Sequence, residues 1–184
     1  MITSKTINLP GWVNDELRLA GKIEGDKAKM DFVLDLAIKN VERNTGGPFA
    51  AAVFDSETDE LISVGVNCVV DNNCSIAHAE IVAIINAQEK LNSYRLDDVE
   101  YVLFSSAQPC VMCNGAFFWS GIKTLVYGAT KNDVEQIVGF DEGPIHPHWY
   151  EEFKNRGISV VRNVLPEKSR EVLQLYKDKE GILY

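Results

Sequence analysis

The sequence predicts an α/β protein with a mixed central sheet of about five strands covered by helices on both faces. Three observations carry this expectation. Two short apolar runs stand close together across a polar turn, as in an antiparallel hairpin. Two later strand-like runs are separated by a stretch of helical length, which makes them parallel neighbours. Segments with apolar residues at three- and four-residue spacing stand before, between and after these runs.

Residues 1–28 show no clear period and are expected to form an irregular N-terminal extension. From Ala28 to about Asn44, the positions Met30, Val33, Leu34, Ala37, Ile38 and Val41 trace one face of an amphipathic helix, which Gly46-Gly47 and Pro48 stop. Ala50 to Phe54 and Leu61 to Val66 read as hairpin strands across the polar DSETDE turn. Ala77 to Leu91 is apolar at helical spacing, Val99 to Ser105 reads as a buried strand, and Cys110 to Ser120 reads as a second buried helix. Thr124 to Ala129 is a third buried strand, parallel to its predecessor because a helix intervenes. A last strand at Ile158–Val161 and a helix from Pro166 to Lys179 complete the order. With no repeat, low-complexity tract or linker, residues 1–184 are expected to be a single domain.

Composition narrows the class. A hydrophobic fraction of 46% and a charged fraction of 24% are those of a soluble globular protein. The balance of 18 basic and 27 acidic residues leaves a formal charge of −9, which repels a phosphate backbone and disfavours nucleic acid as a partner. The opening MITSKTINLPGWVNDE has no apolar signal region, so a cytoplasmic location is expected. Tyr101 to Ile122 runs 22 residues without a charge, the length of a membrane span. Ser105, Ser106, Gln108, Pro109 and Asn114 within it would be costly in lipid, so a buried strand followed by a buried helix is the better explanation and no membrane contact is expected.

Two short motifs stand 32 residues apart: His78-Ala79-Glu80, and Pro109-Cys110-Val111-Met112-Cys113. Each opens an expected helix. At a helix start the two sulfurs of C-x-x-C lie about one turn apart, where free amides and the positive dipole end favour thiolates. One imidazole and two thiolates suit zinc, one ion per chain, and three protein ligands leave a fourth tetrahedral position for water. The ion lowers the pKa of such a water toward about 7. Glu80, two residues from the His78 ligand, reaches that water and can carry its proton to a ring nitrogen and then to a leaving ammonia. A redox dithiol or a closed structural zinc module are the competing readings of the same cysteines, and a structural module would need a fourth ligand. Cys68 and Cys74 are expected to pack as small apolar groups. His146 and His148, flanked by two prolines, read as surface histidines of a loop.

The pair H-x-E and P-C-x-x-C is the signature of zinc deaminases, and on it the chain resembles the cytidine deaminase superfamily. From about Met30 to the C-terminus it is similar to the guanine deaminase branch, through Gly46-Gly47-Pro48-Phe49, Gly65-Val66-Asn67, Gly139-Phe140-Asp141-Glu142 and the tail ending at Tyr184. The resemblance implies a three-layer αβα fold and attack at C2 of guanine, giving xanthine and ammonia. It implies that Phe49 stacks on the base, Asn67 hydrogen-bonds its edge, Glu142 assists proton traffic, and Ala79, Phe140 and Tyr184 line the substrate pocket. It also implies a homodimer in which the C-terminal segment can be exchanged between subunits. One position departs from the branch: Gln108 stands where such enzymes usually carry glutamate before the proline. Deamination of another base, nucleoside or aminated triazine by the same site remains the alternative, and tRNA editing is disfavoured by the net charge.

Overall fold

The computed structural model describes residues 5–184. Its helices are α1 (Gly11–Leu19), α2 (Asp26–Glu42), α3 (Ala79–Leu91), α4 (Val111–Ser120), α5 (Lys131–Ile137), α6 (Trp149–Asn155) and α7 (Pro166–Asp178). Its strands are β1 (Ala50–Asp55), β2 (Leu61–Val66), β3 (Tyr101–Ala107), β4 (Thr124–Ala129) and β5 (Ser159–Val161), which form one sheet in the order β2-β1-β3-β4-β5. β1 runs antiparallel to β2 and β3, while β3, β4 and β5 are parallel. The expected mixed five-strand sheet is therefore present, including the hairpin and the parallel pair around α4.

Alternation along β1 shows how the sheet is buried on both sides. Ala51 and Val53 face a core shared with Ala83, Phe117 and Phe153 of α3, α4 and α6. Ala50, Ala52 and Phe54 face a second core with Val13, Leu34 and Val172 of α1, α2 and α7. Helices on both faces are the reason β1 is apolar at every position from 50 to 54 rather than at alternate ones. A third cluster, with Ala129, Val134, Phe140 and Tyr176, closes the end of the sheet where β3 and β4 finish.

Close backbone approach sets the α3 position. A Cβ on Gly65 of β2 would lie 2.1 Å from the Ala79 carbonyl oxygen and 2.5 Å from the Ala83 amide nitrogen. Only glycine lets the first turn of α3 rest on the strand. α4 ends at Gly121, whose φ of 92° is the left-handed cap that glycine supplies without steric cost.

The N-terminal extension is not irregular throughout. Residues 11–19 form α1, and α2 begins at Asp26 rather than Ala28. α1 buries only Trp12 and Val13, too few positions to display a helical period in the sequence. Trp12 and Val13 pack into the second core, and the Trp12 indole to Thr45 and the Lys39–Glu16 ion pair add distant polar contacts. α5 and α6, seven residues each, are also additions to the expected order. α5 carries a capping box in which Thr130 Oγ1 accepts from the Asp133 amide while the Asp133 carboxylate accepts from the Thr130 amide. Among the described residues no helix is long and apolar enough to cross a membrane, and the uncharged run 101–122 forms β3 and α4.

Candidate active site

The cluster His78, Cys110 and Cys113 forms where two helices begin beside the carboxyl end of β3. His78 is the residue capping α3 and Cys110 the residue capping α4, both with extended backbone. Their ligand atoms and that of Cys113 lie within 4.8 Å of one another. The Cys110 Sγ and His78 Nδ1 are 3.6 Å apart. A tetrahedral ion with bonds of about 2.3 Å to sulfur and about 2.0 Å to nitrogen needs those two atoms about 3.5 Å apart. Geometry and donor chemistry therefore both fit zinc. Among the described residues no fourth His, Cys, Asp or Glu joins the group, so the closed structural module lacks its ligand.

Negative charge crowds this point. Donation from the Cys113 thiol, opposed by burial and helped by His78 and the Cys113 amide, pulls the Cys110 thiol down to about 4. The same hydrogen bond, with burial and the neighbouring Glu80, pushes Cys113 well above the usual thiol range. Burial and the Cys110 thiolate raise the pKa of Glu80, whose Oε1 accepts a 3.1 Å hydrogen bond from Ser105 Oγ. Burial, with Cys110 and Glu80 nearby, pushes Glu142 up to about 8. Burial lowers the pKa of His78, but the Cys110 hydrogen bond and the surrounding acids outweigh it and the net shift is upward. Two carboxyls and two thiols converging out of water on a single imidazole form a cluster whose charges a divalent cation compensates.

A cavity of about 130 Å³ opens onto this cluster and is lined by Phe49, Asn67, Ala79, Phe140 and Tyr184 together with Glu80 and Glu142. The structure thus brings every sequence-named site residue except the wholly buried Cys113 to one cavity, and Cys113 closes the metal cluster behind it. Phe140 packs at 5.5 Å from Phe49 and 4.8 Å from Tyr184, giving three aromatic walls. Tyr184 is 39% exposed, yet its hydroxyl turns inward, where a Cβ on Gly47 would meet it at 2.2 Å. Asn67 is 1% exposed, and its Nδ2 is buried with no hydrogen-bond partner in the protein. A buried unpaired amide costs about 1–3 kcal/mol, so its presence on a cavity wall fits an acceptor supplied by a ligand.

Residues outside the expected site set enter it as well. Ser105 meets Glu80 from β3, 25 positions away. Gln108 lines the cavity, and its Oε1 accepts from the Lys131 amide at the start of α5, a bond that a glutamate oxygen accepts equally well. Lys131 Nζ in turn holds the Gly143 carbonyl at 2.7 Å, beside Glu142, whose own carbonyl accepts from the Val111 amide. His146 and His148 are exposed, with rings 5.9 Å apart, and stand outside the metal cluster. Cys68 is buried in a small apolar cluster with Cys74 against it, as expected of both.

Comparison with known proteins gives the same direction. A family model described as the cytidine and deoxycytidylate deaminase zinc-binding region matches residues 23–129. The guanine deaminase of Bacillus subtilis (strain 168) is 35% identical over 132 residues, which is 72% of this chain and 81% of that protein. A tRNA-specific adenosine deaminase of Haemophilus influenzae is 31% identical over 159 residues, 85% of each chain. The solved guanine deaminase from Nitrosomonas europaea has a TM-score of 0.91 and 39% identity, covering 97% of this chain and 98% of that one.

Proposed function

Since the chain belongs to the cytidine and deoxycytidylate deaminase zinc-binding family, and is thereby a hydrolytic deaminase acting on a carbon–nitrogen bond, we propose that it converts guanine and water to xanthine and ammonia with one zinc ion. The observation that carries the choice of base is the cavity. Three aromatic rings form walls suited to a planar heterocycle, and the unpaired Asn67 Nδ2 supplies a donor for a polar purine edge.

His78, Cys110 and Cys113 would hold the zinc, which when bound lowers the pKa of a water toward about 7. Phe49 stacks on one face of the purine, Phe140 and Tyr184 line the cavity beside it, and Asn67 fixes its orientation by donating to an acceptor on its edge. Glu80, aimed by Ser105, takes a proton from the attacking water and delivers it to the ring nitrogen beside C2. The C2–O bond forms, Glu80 takes the remaining proton of the new hydroxyl and passes it to the amine, and the C2–N bond breaks as C2=O forms and ammonia leaves. Glu142, on the cavity wall and with its pKa raised by burial, is a second group able to exchange protons with the leaving side. Tyr184 and Phe140 exclude bulk water from the cavity. We further place the protein as a homodimer, supported by the exposed apolar side chains Ile85, Val111 and Trp119 on α3 and α4 and Tyr94 in the turn after α3.

One observation favours a second substrate, adenosine in tRNA: the 85% coverage of the tRNA-specific relative. The formal charge of −9 argues against it, because a polyanion must approach through that field. Ammonia release by the zinc-loaded protein, measured on guanine, cytosine, adenine, ammeline and an adenosine-containing anticodon stem-loop, separates the readings. Guanine is expected to be the best substrate by kcat/KM. A preference for the stem-loop, or turnover of a pyrimidine above guanine, would overturn the assignment.

A further inference from the structure

Asn40 touches neither the cavity nor the metal cluster, yet its amide joins the two segments that carry Phe49 and Asn67. It lies in α2 with no exposed surface. Its Nδ2 donates two hydrogen bonds of 2.8 Å, one to the Gly47 carbonyl and one to the Asn67 carbonyl. Its Oδ1 accepts from Thr45 Oγ1 at 2.8 Å, and that hydroxyl accepts from Trp12 Nε1 of α1 at 3.1 Å. Both donors and the acceptor are therefore committed, and a flipped amide would set its oxygen against two carbonyls.

The joined segments meet directly as well. The Asn67 amide donates to the Phe49 carbonyl at 2.9 Å. A Cβ on Gly46 would lie 1.8 Å from the Asn67 carbonyl oxygen and 2.8 Å from Asn40 Nδ2, so the loop closes onto Asn67 and Asn40 only with glycine at 46. Without Asn40 the Gly47 and Asn67 carbonyls lose this buried donor, and a loop with exposed alternatives would move toward water to regain a partner.

We propose that Asn40 is a positioning residue that fixes the distance and orientation between the Phe49 ring and the Asn67 amide, and so sets affinity for the base, with Thr45 and Trp12 holding its amide in the required orientation. This rests on the proposed contacts of Phe49 and Asn67 with the purine. It also gives α1 a role at the site from which it is absent, since Trp12 is the outermost member of the chain of hydrogen bonds.

The test uses the zinc-loaded full chain with Asn40→Leu and Thr45→Val, each confirmed to hold one zinc. In Asn40→Leu, hydrogen exchange of the backbone amides of Thr45, Gly46, Gly47, Phe49 and Asn67 is expected to accelerate about tenfold while α3 and β3 keep their protection. KM for guanine is expected to rise about tenfold with kcat changed by less than about threefold. Thr45→Val should shift KM in the same direction by about threefold, and adding it to Asn40→Leu should change nothing more, because both act through one amide. Unchanged exchange in those segments would overturn the positioning role whatever the substrate, so a wild type inactive on guanine would sink the substrate reading and leave this test standing. Faster exchange with KM unmoved, or a lower Tm and lower kcat at constant KM, would reduce Asn40 to a structural residue. If Asn40→Leu does not fold, Thr45→Val decides by the same readouts.

Discussion

Cys110 and Cys113 are three residues apart and protonate in opposite directions, because one sulfur accepts where the other donates. In metal-free protein the Cys110 thiol, at about 4, is a thiolate across the whole neutral range. Its alkylation by iodoacetamide is therefore expected to be nearly constant from pH 6 to 8, where an ordinary thiol reacts about tenfold faster per pH unit as it approaches its pKa of about 8.5. Cys113 should stay unmodified, and added zinc should protect Cys110. A rate that climbs steadily with pH would contradict the asymmetry. The candidate ligands were legible because their chemistry is local, a histidine and two cysteines at helix starts. Phe49 and Asn67 were legible only through the resemblance to guanine deaminases, since an aromatic and an asparagine in isolation point to no substrate. Ser105 and Asn40 carried no signal at all. Ser105 reaches Glu80 across 25 positions and Asn40 reaches Asn67 across 27, distances over which spacing says nothing.

Elements place these residues by contacts that tolerate little change. Gly65 lets β2 accept the first turn of α3, the turn that begins with His78 and contains Glu80. Gly65→Ala would push a methyl group into the Ala79 carbonyl and the Ala83 amide, so a loss of about 2 kcal/mol, near 6 °C in Tm, is expected from overpacking. The same displacement should weaken zinc retention during dialysis against a chelator; a variant with wild-type Tm and zinc retention would show that α3 is not held there. The sheet was readable at this scale because its strands are runs of buried residues broken by polar turns. α1 was not, because two buried side chains over nine residues give no period. α5 left a trace, the Thr130-x-x-Asp133 box, whose paired side chain and backbone bonds make a seven-residue helix stable enough to carry Lys131 to the Glu142 loop.

At the scale of the molecule, charge and surface bear on partners. The formal charge of −9 lowers affinity for nucleic acid, while Ile85, Tyr94, Val111 and Trp119 leave apolar surface on the side of α3 and α4. Trp119 is 79% exposed and is the largest of these. Light scattering is expected to give a mass of about twice the 20.5 kDa chain, and Trp119→Glu should return it to that of one chain. A wild-type protein that remains a monomer at all concentrations would remove the dimer from the account. The central claim, that the cavity beside His78, Cys110 and Cys113 deaminates guanine with Glu80 moving the protons, is tested most directly by chromatography of guanine incubated with zinc-loaded protein. Xanthine and ammonia should appear in equal amounts, and Glu80→Ala should slow their formation by at least about 100-fold while zinc stays bound. Guanine recovered unchanged from wild-type protein with its zinc in place, or full turnover by Glu80→Ala, would contradict it.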